Sequence, residues 1–282
     1  MKIAISVEST NDLSRELIIE NDIKVIPYNI VLGDMMFKDG EKTTEEMFAY
    51  VDKHGTLPKT NAINEFEYTE YFEKILSEYD AVVHICLSSG ITSSCGNAFR
   101  ACENIKNAYA VDSKSLSTGI GLLALYAREL ADKGVEAKEI ASIVQKRAES
   151  LQVSFVVERL DYLRMGGRCS SVAALAANVF HIRPRIVVKD GKMLSDKKYK
   201  GSMERVIKKY CSDTLAEFNT PDLEKVFITY TTATDEMIEN AEMALKEAGF
   251  KNIYKTRAGG TIASHCGANT MGILYFNDGN QN

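Results

Sequence analysis

Residues 81–98 read AVVHICLSSGITSSCGNA, and the rest of the chain is arranged around the way this stretch folds. Residues 81–87 are apolar apart from His84, which predicts a strand buried on both faces. That strand runs into Ser88-Ser89-Gly90-Ile91-Thr92-Ser93-Ser94, five hydroxyls and a glycine, and then into a segment of helical composition. Free N–H groups at a helix start, with the helix dipole behind them, favour an anion. Thr92, Ser93 or Ser94 also suits a plain helix cap. Both readings stay open at this point.

Working outward, residues 3–7 predict a short buried strand, followed by Glu8-Ser9-Thr10-Asn11-Asp12-Leu13, in which Ser9, Thr10 and Asp12 are competent caps. Residues 25–32 predict a second strand, and turns at Gly33-Asp34 and Asp39-Gly40 make 25–40 a hairpin or extended arm. Thr43 or Thr44 caps a helix, and Pro58-Lys59-Thr60-Asn61-Ala62 reads as a polar loop. Residues 65–77 are apolar at helical spacing, 107–111 predict a strand, and 119–133 a helix apolar around most of its circumference, hence central. Strands alternating with helices predict an α/β fold whose N-terminal part, 1–152, holds a mostly parallel sheet with flanking helices.

The remainder, 153–282, has a different rhythm. Asp190-Gly191 between 184–189 and 192–194 is a type I′ hairpin signal. Strands at 153–157, 225–230, 252–257 and 272–276 are mixed with helices at 203–218 and 235–248, which predicts a second domain with a mixed or antiparallel sheet. Ser170 or Ser171 is expected to cap a small-residue helix, VAALAANVF, and the tail NDGNQN is expected to fray.

Composition narrows the function classes. Net charge is −5, from 34 basic and 39 acidic residues, so no electrostatic footprint for nucleic acid is present. Cys86, Cys95, Cys102, Cys169, Cys211 and Cys266 contain no C-x-x-C pair, and the four histidines are scattered, so neither a metal nor a disulfide framework is expected. The start MKIAISVEST lacks a signal peptide's apolar core, and the uncharged run 169–182 falls short of the ~20 residues that span a bilayer. A cytoplasmic protein with free thiols and no stable membrane insertion is expected.

The chemistry-bearing pieces are few. Gly119-Ile120-Gly121-Leu122-Leu123-Ala124 fits a loose dinucleotide fingerprint, but it lies inside the apolar helix and well past its strand, which favours packing. His265 lies in Gly259-Gly260-Thr261-Ile262-Ala263-Ser264-His265-Cys266-Gly267-Ala268-Asn269, where glycines permit tight turns around polar side chains. Arg164-Met165-Gly166-Gly167-Arg168 is either a solvated turn or a cationic docking surface ahead of a helix start.

Together these pieces, in this order, resemble the DegV family of bacterial fatty-acid-binding proteins over essentially the whole chain. Glu8-Ser9-Thr10-Asn11-Asp12-Leu13 is similar to the family's D-S-T-x-D-L, with Glu for Asp, and Lys59-Thr60-Asn61 to its K-T-S. Leu87 to Ser94 is similar to I-S-S-G-L-S-G-T, and Asp112-Ser113-Lys114-Ser115 matches D-S-K-S. Tyr162 to Arg168 resembles Y-L-x-x-G-G-R, Val188 to Lys192 matches V-K-D-G-K, and Ser264 to Asn269 resembles T-H-T-G-P-G. The resemblance implies two α/β domains enclosing a long-chain fatty acid, with no cofactor and no catalysis by the chain itself. It implies that Thr60 and Thr92 bind the carboxylate, with His265, Asn61 and Ser93 beside them. Arg164 and Arg168 then fall in the region associated with a partner, a fatty-acid kinase that makes an acyl phosphate for phospholipid synthesis. Thr92 keeps a serine's hydroxyl and adds a methyl, and Asn269 replaces a glycine where Asn still adopts a left-handed conformation. Two rival readings are a hydrolase or phosphotransferase using Ser93, Ser94 and His265, and a carrier of another apolar ligand such as a retinoid or sterol.

The physics suits an acid with a long tail. Some 14 methylenes at ~0.8 kcal/mol each could contribute roughly 11 kcal/mol before ordering costs. A buried carboxylate must in turn be hydrogen-bonded.

Overall fold

The computed structural model describes residues 1–169 and 182–279. The anticipated helix 172–180, with Ser170 or Ser171 at its start, lies outside the described residues. Strands β1 (Ile3–Glu8), β2 (Ile23–Ile26), β6 (Ala81–Cys86) and β7 (Ala108–Asp112) form a parallel sheet in the order β2-β1-β6-β7. Every residue of β1 and β6 is buried, as a strand covered on both faces requires. Because the strands are parallel, their carboxyl ends share one edge, and the loops after β1, β6 and β7 emerge side by side there. Open α/β sheets bind their ligands along this edge.

A second, six-stranded sheet is mixed. It contains β8 (Leu151–Val156), β9 (Ile182–Lys189), β10 (Lys192–Lys200), β11 (Lys225–Tyr230), β12 (Asn252–Arg257) and β13 (Met271–Phe276), in the order β10-β9-β8-β13-β11-β12. All neighbours are antiparallel except β11 and β12. Asp190 and Gly191 have φ of 51° and 75°, the positive pair that a type I′ turn needs. The hairpin is longer than 192–194 suggested, because β10 continues to Lys200 past a bulge between Ser195 and Lys197.

Helix α5 (Thr118–Asp132) is central, as its apolar circumference indicated. It packs on β1 and β6 of one sheet and on β8, β11 and β13 of the other. One apolar cluster accordingly runs from Ile5 and Val83 through Leu123 to Phe155 and Leu274.

Several expectations need correction. Residues 25–32 are two strands, because Pro27 has no N–H to continue a ladder and the chain leaves the parallel sheet there. The continuation, β3 (Asn29–Leu32), turns back as β4 (Met35–Lys38). The anticipated loop at 58–62 contributes a third strand to this small sheet, β5 (Lys59–Asn61), paired with β3 through Ile30 and Thr60. After β1, Ser9–Asn11 makes a short 3-10 turn. Helix α1 (Arg15–Glu20) begins later, capped by Ser14, whose hydroxyl accepts from Leu17 N–H. The tail is pinned as far as Gly279, with Asp278 held by Arg147 and Gly279 N–H donating to Thr220 O. No helix among the described residues is long and apolar enough to cross a membrane.

Candidate functional site

The loop after β6 is fixed from below and from the side. Ser89 Oγ donates to Asp112 Oδ2 at 2.5 Å and Ser88 Oγ to Gly191 O at 2.7 Å, so β7 and the β9–β10 hairpin tip both hold it. At the start of α4 (Ser94–Glu103), neither Ser93 nor Ser94 supplies the cap. Thr92 Oγ1 accepts from Ser94 N–H at 3.2 Å, donates to Ser94 Oγ at 3.1 Å and receives the Tyr28 hydroxyl at 3.4 Å. Burial pushes the Tyr28 phenol up, so it remains a donor. Ser94 is buried and accepts from Ile63 N–H at 3.0 Å, which fixes the start of α3 (Glu65–Leu76) against α4.

His265 arrives on α10 (Gly260–Cys266), where a glycine-rich loop was expected. Two glycines make a poor helix start by propensity. The deficit is met by carboxylates from distant segments. Asp39 accepts from Gly260 N–H at 2.8 Å, Thr261 N–H at 3.2 Å and Ser9 Oγ at 2.8 Å, and Asp12 accepts from Gly259 N–H at 2.8 Å and Ser117 Oγ at 2.5 Å. These carboxylates satisfy backbone donors that the helix start leaves without an intrahelical partner. Burial drives the Asp12 carboxyl well above its ordinary range, against the pull of Ser117 and Gly259. Asn269 has φ of 54°, the left-handed conformation its place in the loop called for.

These elements enclose a cavity of about 370 Å³. That lies within the span of roughly 300–1,000 Å³ common for small-molecule sites. Its polar lining is Tyr28, Thr60, Ser89, Thr92, Ser93, Arg168, Thr261 and His265. The walls include Leu87, Ile91, Leu116, Met193 and Ile262, and no acidic side chain lines it. Leu116, Ile262 and Cys266 also border a smaller apolar pocket of about 30 Å³ with Phe155 and Leu274 on its far side. Thr60, Arg168 and His265 are shared with a second chamber of about 250 Å³. The cavity therefore meets the chamber at Thr60, Arg168 and His265 and meets an apolar pocket at Leu116, Ile262 and Cys266.

Thr60 Oγ1 lies 2.9 Å from His265 Nε2, a pairing across more than two hundred residues of sequence. His265 Nδ1 is buried and has no hydrogen-bond partner. Burial, reinforced by the nearby Arg168 guanidinium, lowers the His265 pKa from 6.5 to about 4, so the imidazole is neutral near pH 7. With the proton on Nε2, His265 donates to Thr60 Oγ1 and leaves the Thr60 hydroxyl free to donate into the cavity. Unfolded chain binds a proton here near pH 6.5 and folded chain only near 4, so the stability this site contributes is complete above 6.5. It is lost progressively as pH falls from 6.5 to about 4. Arg168→Gln should raise the His265 pKa, read from its imidazole proton shifts in a pH titration by NMR. An unmoved midpoint would place the guanidinium's charge elsewhere.

Other expected site residues fall differently. Asn61 is exposed and borders the second chamber but not the cavity, because side chains alternate along β5. Arg168, expected on a docking surface, lines cavity and chamber alike, its guanidinium hydrogen-bonded to Gly166 O. Arg164 is exposed on α7 (Asp161–Gly166) and lines neither space. Neither Ser93 nor Ser94 is hydrogen-bonded to His265, and no carboxylate reaches Nδ1, so the geometry of a nucleophile–base–acid triad does not form among the described residues.

One cluster escaped the sequence reading. Ligand-type atoms of Glu8, His84 and Cys86 lie within 4.8 Å of one another. Both Glu8 oxygens are already engaged, by the Tyr68 hydroxyl at 2.7 Å and by Leu87 N–H at 2.6 Å. His84 Nδ1 pairs with Ser6 Oγ at 2.9 Å, while Nε2, 3.8 Å from Glu8, has no hydrogen bond.

A family described as uncharacterised DegV proteins matches residues 2–278. The chain belongs to the DegV family. Among curated relatives of this DegV protein, a DegV domain-containing protein of Caldanaerobacter subterraneus subsp. tengcongensis is 28% identical, over 97% of this chain and 98% of that one. The fold is shared with a fatty-acid-binding DegV family protein from Thermus thermophilus at a TM-score of 0.89 and 22% identity, covering 98% of this chain and 99% of that one. DegV from Bacillus subtilis, described as a fatty acid binding protein, superposes at 0.85 with 23% identity and the same coverage. A stearic-acid-binding protein from Eubacterium ventriosum superposes at 0.83 with 22% identity, covering 99% of this chain and all of that one. Within the DegV frame, the motif residues Asp12, Asp112 and Gly191 brace the loops and helix that carry Thr92 and His265.

Proposed function

We infer that this protein binds a long-chain fatty acid, with the carboxylate at the Thr60–His265–Thr92 end and the tail directed toward Leu116, Ile262 and Cys266. The observation that carries this reading is the polarity of the cavity. Thr60 and His265 lie where the cavity meets the chamber, Leu116, Ile262 and Cys266 where it meets an apolar pocket, and no acid lines it. Fatty acids bound by solved DegV structures support the same ligand class. Thr60 is the primary donor, because Thr92 already directs its hydroxyl to Ser94. Ser93, exposed at the rim, adds a further hydroxyl, and Asn61 acts from the chamber side. No cofactor enters this reading.

Denaturing extraction of purified protein followed by mass spectrometry should release acyl chains. Their absence, with no uptake of added palmitate or oleate, would overturn the reading. Thr60→Val removes the hydroxyl at nearly constant volume and should weaken palmitate binding by about 1–3 kcal/mol, the usual cost of leaving a buried charged acceptor short of a donor. Unchanged affinity would remove Thr60 from the site.

The chain acts as a carrier and presents the carboxylate to a separate fatty-acid kinase that forms the acyl phosphate. What supports this step is the exposure of Arg164, Met165 and Arg168 beside the carboxylate end, with Met165 67% exposed. Since Arg168 also borders the cavity, Arg164→Glu is the cleaner test. It should impair kinase-coupled turnover and leave palmitate affinity intact; coupled turnover at the wild-type rate would reject the docking role.

A further inference from the structure

Beneath the loop after β6, three side chains of metal-ligating type converge. Ser6 of β1 pairs with His84 of β6, and Glu8 and Cys86 lie two residues further along the same strands. Alternation along a strand therefore puts all four on one face, the face that α3 and α4 cover. Glu8, His84 and Cys86 are each 0% exposed, and their ligand atoms lie within 4.8 Å of one another. The rings of Tyr68 and Phe72 on α3 hold the imidazole edge-on, each with its centroid 5.2 Å away.

His84 Nε2 is buried without a hydrogen-bond partner and stands 3.8 Å from Glu8 Oε1. That separation is too long for a hydrogen bond. It is close to the ~3.3 Å between two ligands that each sit ~2.0–2.1 Å from a tetrahedral zinc ion. On the other side of the ring, Nδ1 is fixed by Ser6 Oγ at 2.9 Å, and Ser6 Oγ by the Tyr71 hydroxyl at 3.0 Å. With Nδ1–H donating to Ser6, Nε2 turns its lone pair toward Glu8, the outer hydrogen bond by which ligating histidines are oriented. Glu8 has no Lys or Arg partner among the described residues. Each of its oxygens accepts one hydrogen bond, from Tyr68 or from Leu87, and keeps a further lone pair.

We propose that Glu8 Oε1, His84 Nε2 and Cys86 Sγ bind one divalent cation of the zinc class. A thiolate, an imidazole and a carboxylate suit Zn²⁺, whereas Mg²⁺ and Ca²⁺ take oxygen ligands. Two anionic ligands cancel the charge of the ion, which an apolar enclosure requires. As the ion binds, the Cys86 thiol gives up its proton to solvent. Cys95, buried in the first turn of α4 and adjacent to Cys86, offers the fourth donor of a closed tetrahedral site. Tyr71 marks the way in: it lines a surface cleft of about 340 Å³ with Pro27 and Glu67, and its hydroxyl leads through Ser6 to His84. The ion ties β1 to β6 directly below Leu87, a cavity wall, so its role is structural and separate from acid binding.

The test uses the full chain, reduced and stripped with a chelator, and cobalt(II) as the spectroscopic probe. Wild type should saturate at one equivalent, with a thiolate-to-cobalt charge-transfer band that added zinc abolishes. Cys86→Ser should lose the band, and His84→Gln should weaken cobalt binding at least tenfold. Cys211→Ser, which removes a buried thiol from the other core, should leave band and affinity unchanged. Circular dichroism reports whether each variant folds. Should Cys86→Ser or His84→Gln unfold, X-ray absorption on the zinc-loaded wild type decides. A shell of sulfur mixed with nitrogen and oxygen supports the site; an all-sulfur or sulfur-free shell overturns it. No saturable cobalt band in wild type, or the same band in folded Cys86→Ser, refutes the site and leaves His84 and Glu8 a buried pair bridged by a proton.

Discussion

Glu8→Ala should cost the fold about 3–5 kcal/mol, read as a shift of the urea midpoint followed by circular dichroism. Glu8 closes β1, is 0% exposed, and its two oxygens take the Tyr68 hydroxyl and Leu87 N–H. Alanine strands both donors in a site closed to water, at about 1–3 kcal/mol each, and adds the cost of an unfilled void. Burial and the Glu8 charge keep the Tyr68 phenol protonated, so the phenol stays a donor in need of an acceptor. His84 Nε2, 3.8 Å away, loses the one carboxylate it faces. The consequence reaches the site, because Leu87 is both the end of that hydrogen bond and part of the cavity wall. Glu8→Gln keeps one acceptor and should lose much less, about 1–2 kcal/mol. A Glu8→Ala midpoint within 1 kcal/mol of wild type would mean that these hydrogen bonds are replaced on mutation.

What was legible in the sequence followed from local chemistry. The strand at 81–87, the hairpin at Asp190-Gly191 and the apolar helix of α5 each carry their own signal in periodicity or turn type, and each is present. β5 carries none: Lys-Thr-Asn has no strand character, and its pairing with β3 is a tertiary event. Helix α10 was hidden for a related reason, since the groups that satisfy its first N–H groups, Asp12 and Asp39, lie more than two hundred residues earlier. Thr60 and His265 came together only through motif resemblance, because no spacing rule reaches from one to the other. Leu116, Met193 and Ile262 gave no warning, as an apolar residue lining a cavity has the same composition as one filling a core. Arg168 was read as a surface residue and is one, yet it is tied to Gly166 O in the turn that rests on the imidazole, and it lines the cavity.

Gly90→Ala should open the cavity and speed ligand release at least tenfold, at a stability cost of about 2 kcal/mol. A Cβ at Gly90 would lie 2.4 Å from Gly191 O and 3.0 Å from its carbonyl carbon. These are backbone atoms at a hairpin tip, so no side-chain rotation relieves the overlap. Gly191 cannot yield cheaply, since it occupies a positive-φ turn and its carbonyl accepts from Ser88 Oγ at 2.7 Å. The methyl must therefore push the β9–β10 hairpin away from the loop after β6 and break the contact by which one sheet holds the other across the cavity. Met193, two residues beyond the tip, lines the cavity and moves with it. Because the backbone of Gly90 is not in the left-handed region, alanine adds bulk there without φ strain. The comparison with Ser88→Ala, which removes the hydrogen bond and adds no bulk, separates the two terms. Stopped-flow displacement of a fluorescent fatty acid should show the faster release in Gly90→Ala and a smaller increase in Ser88→Ala. Equal rates in both variants would assign the closure to the hydrogen bond, and wild-type rates in both would show that the hairpin tip does not close this cavity.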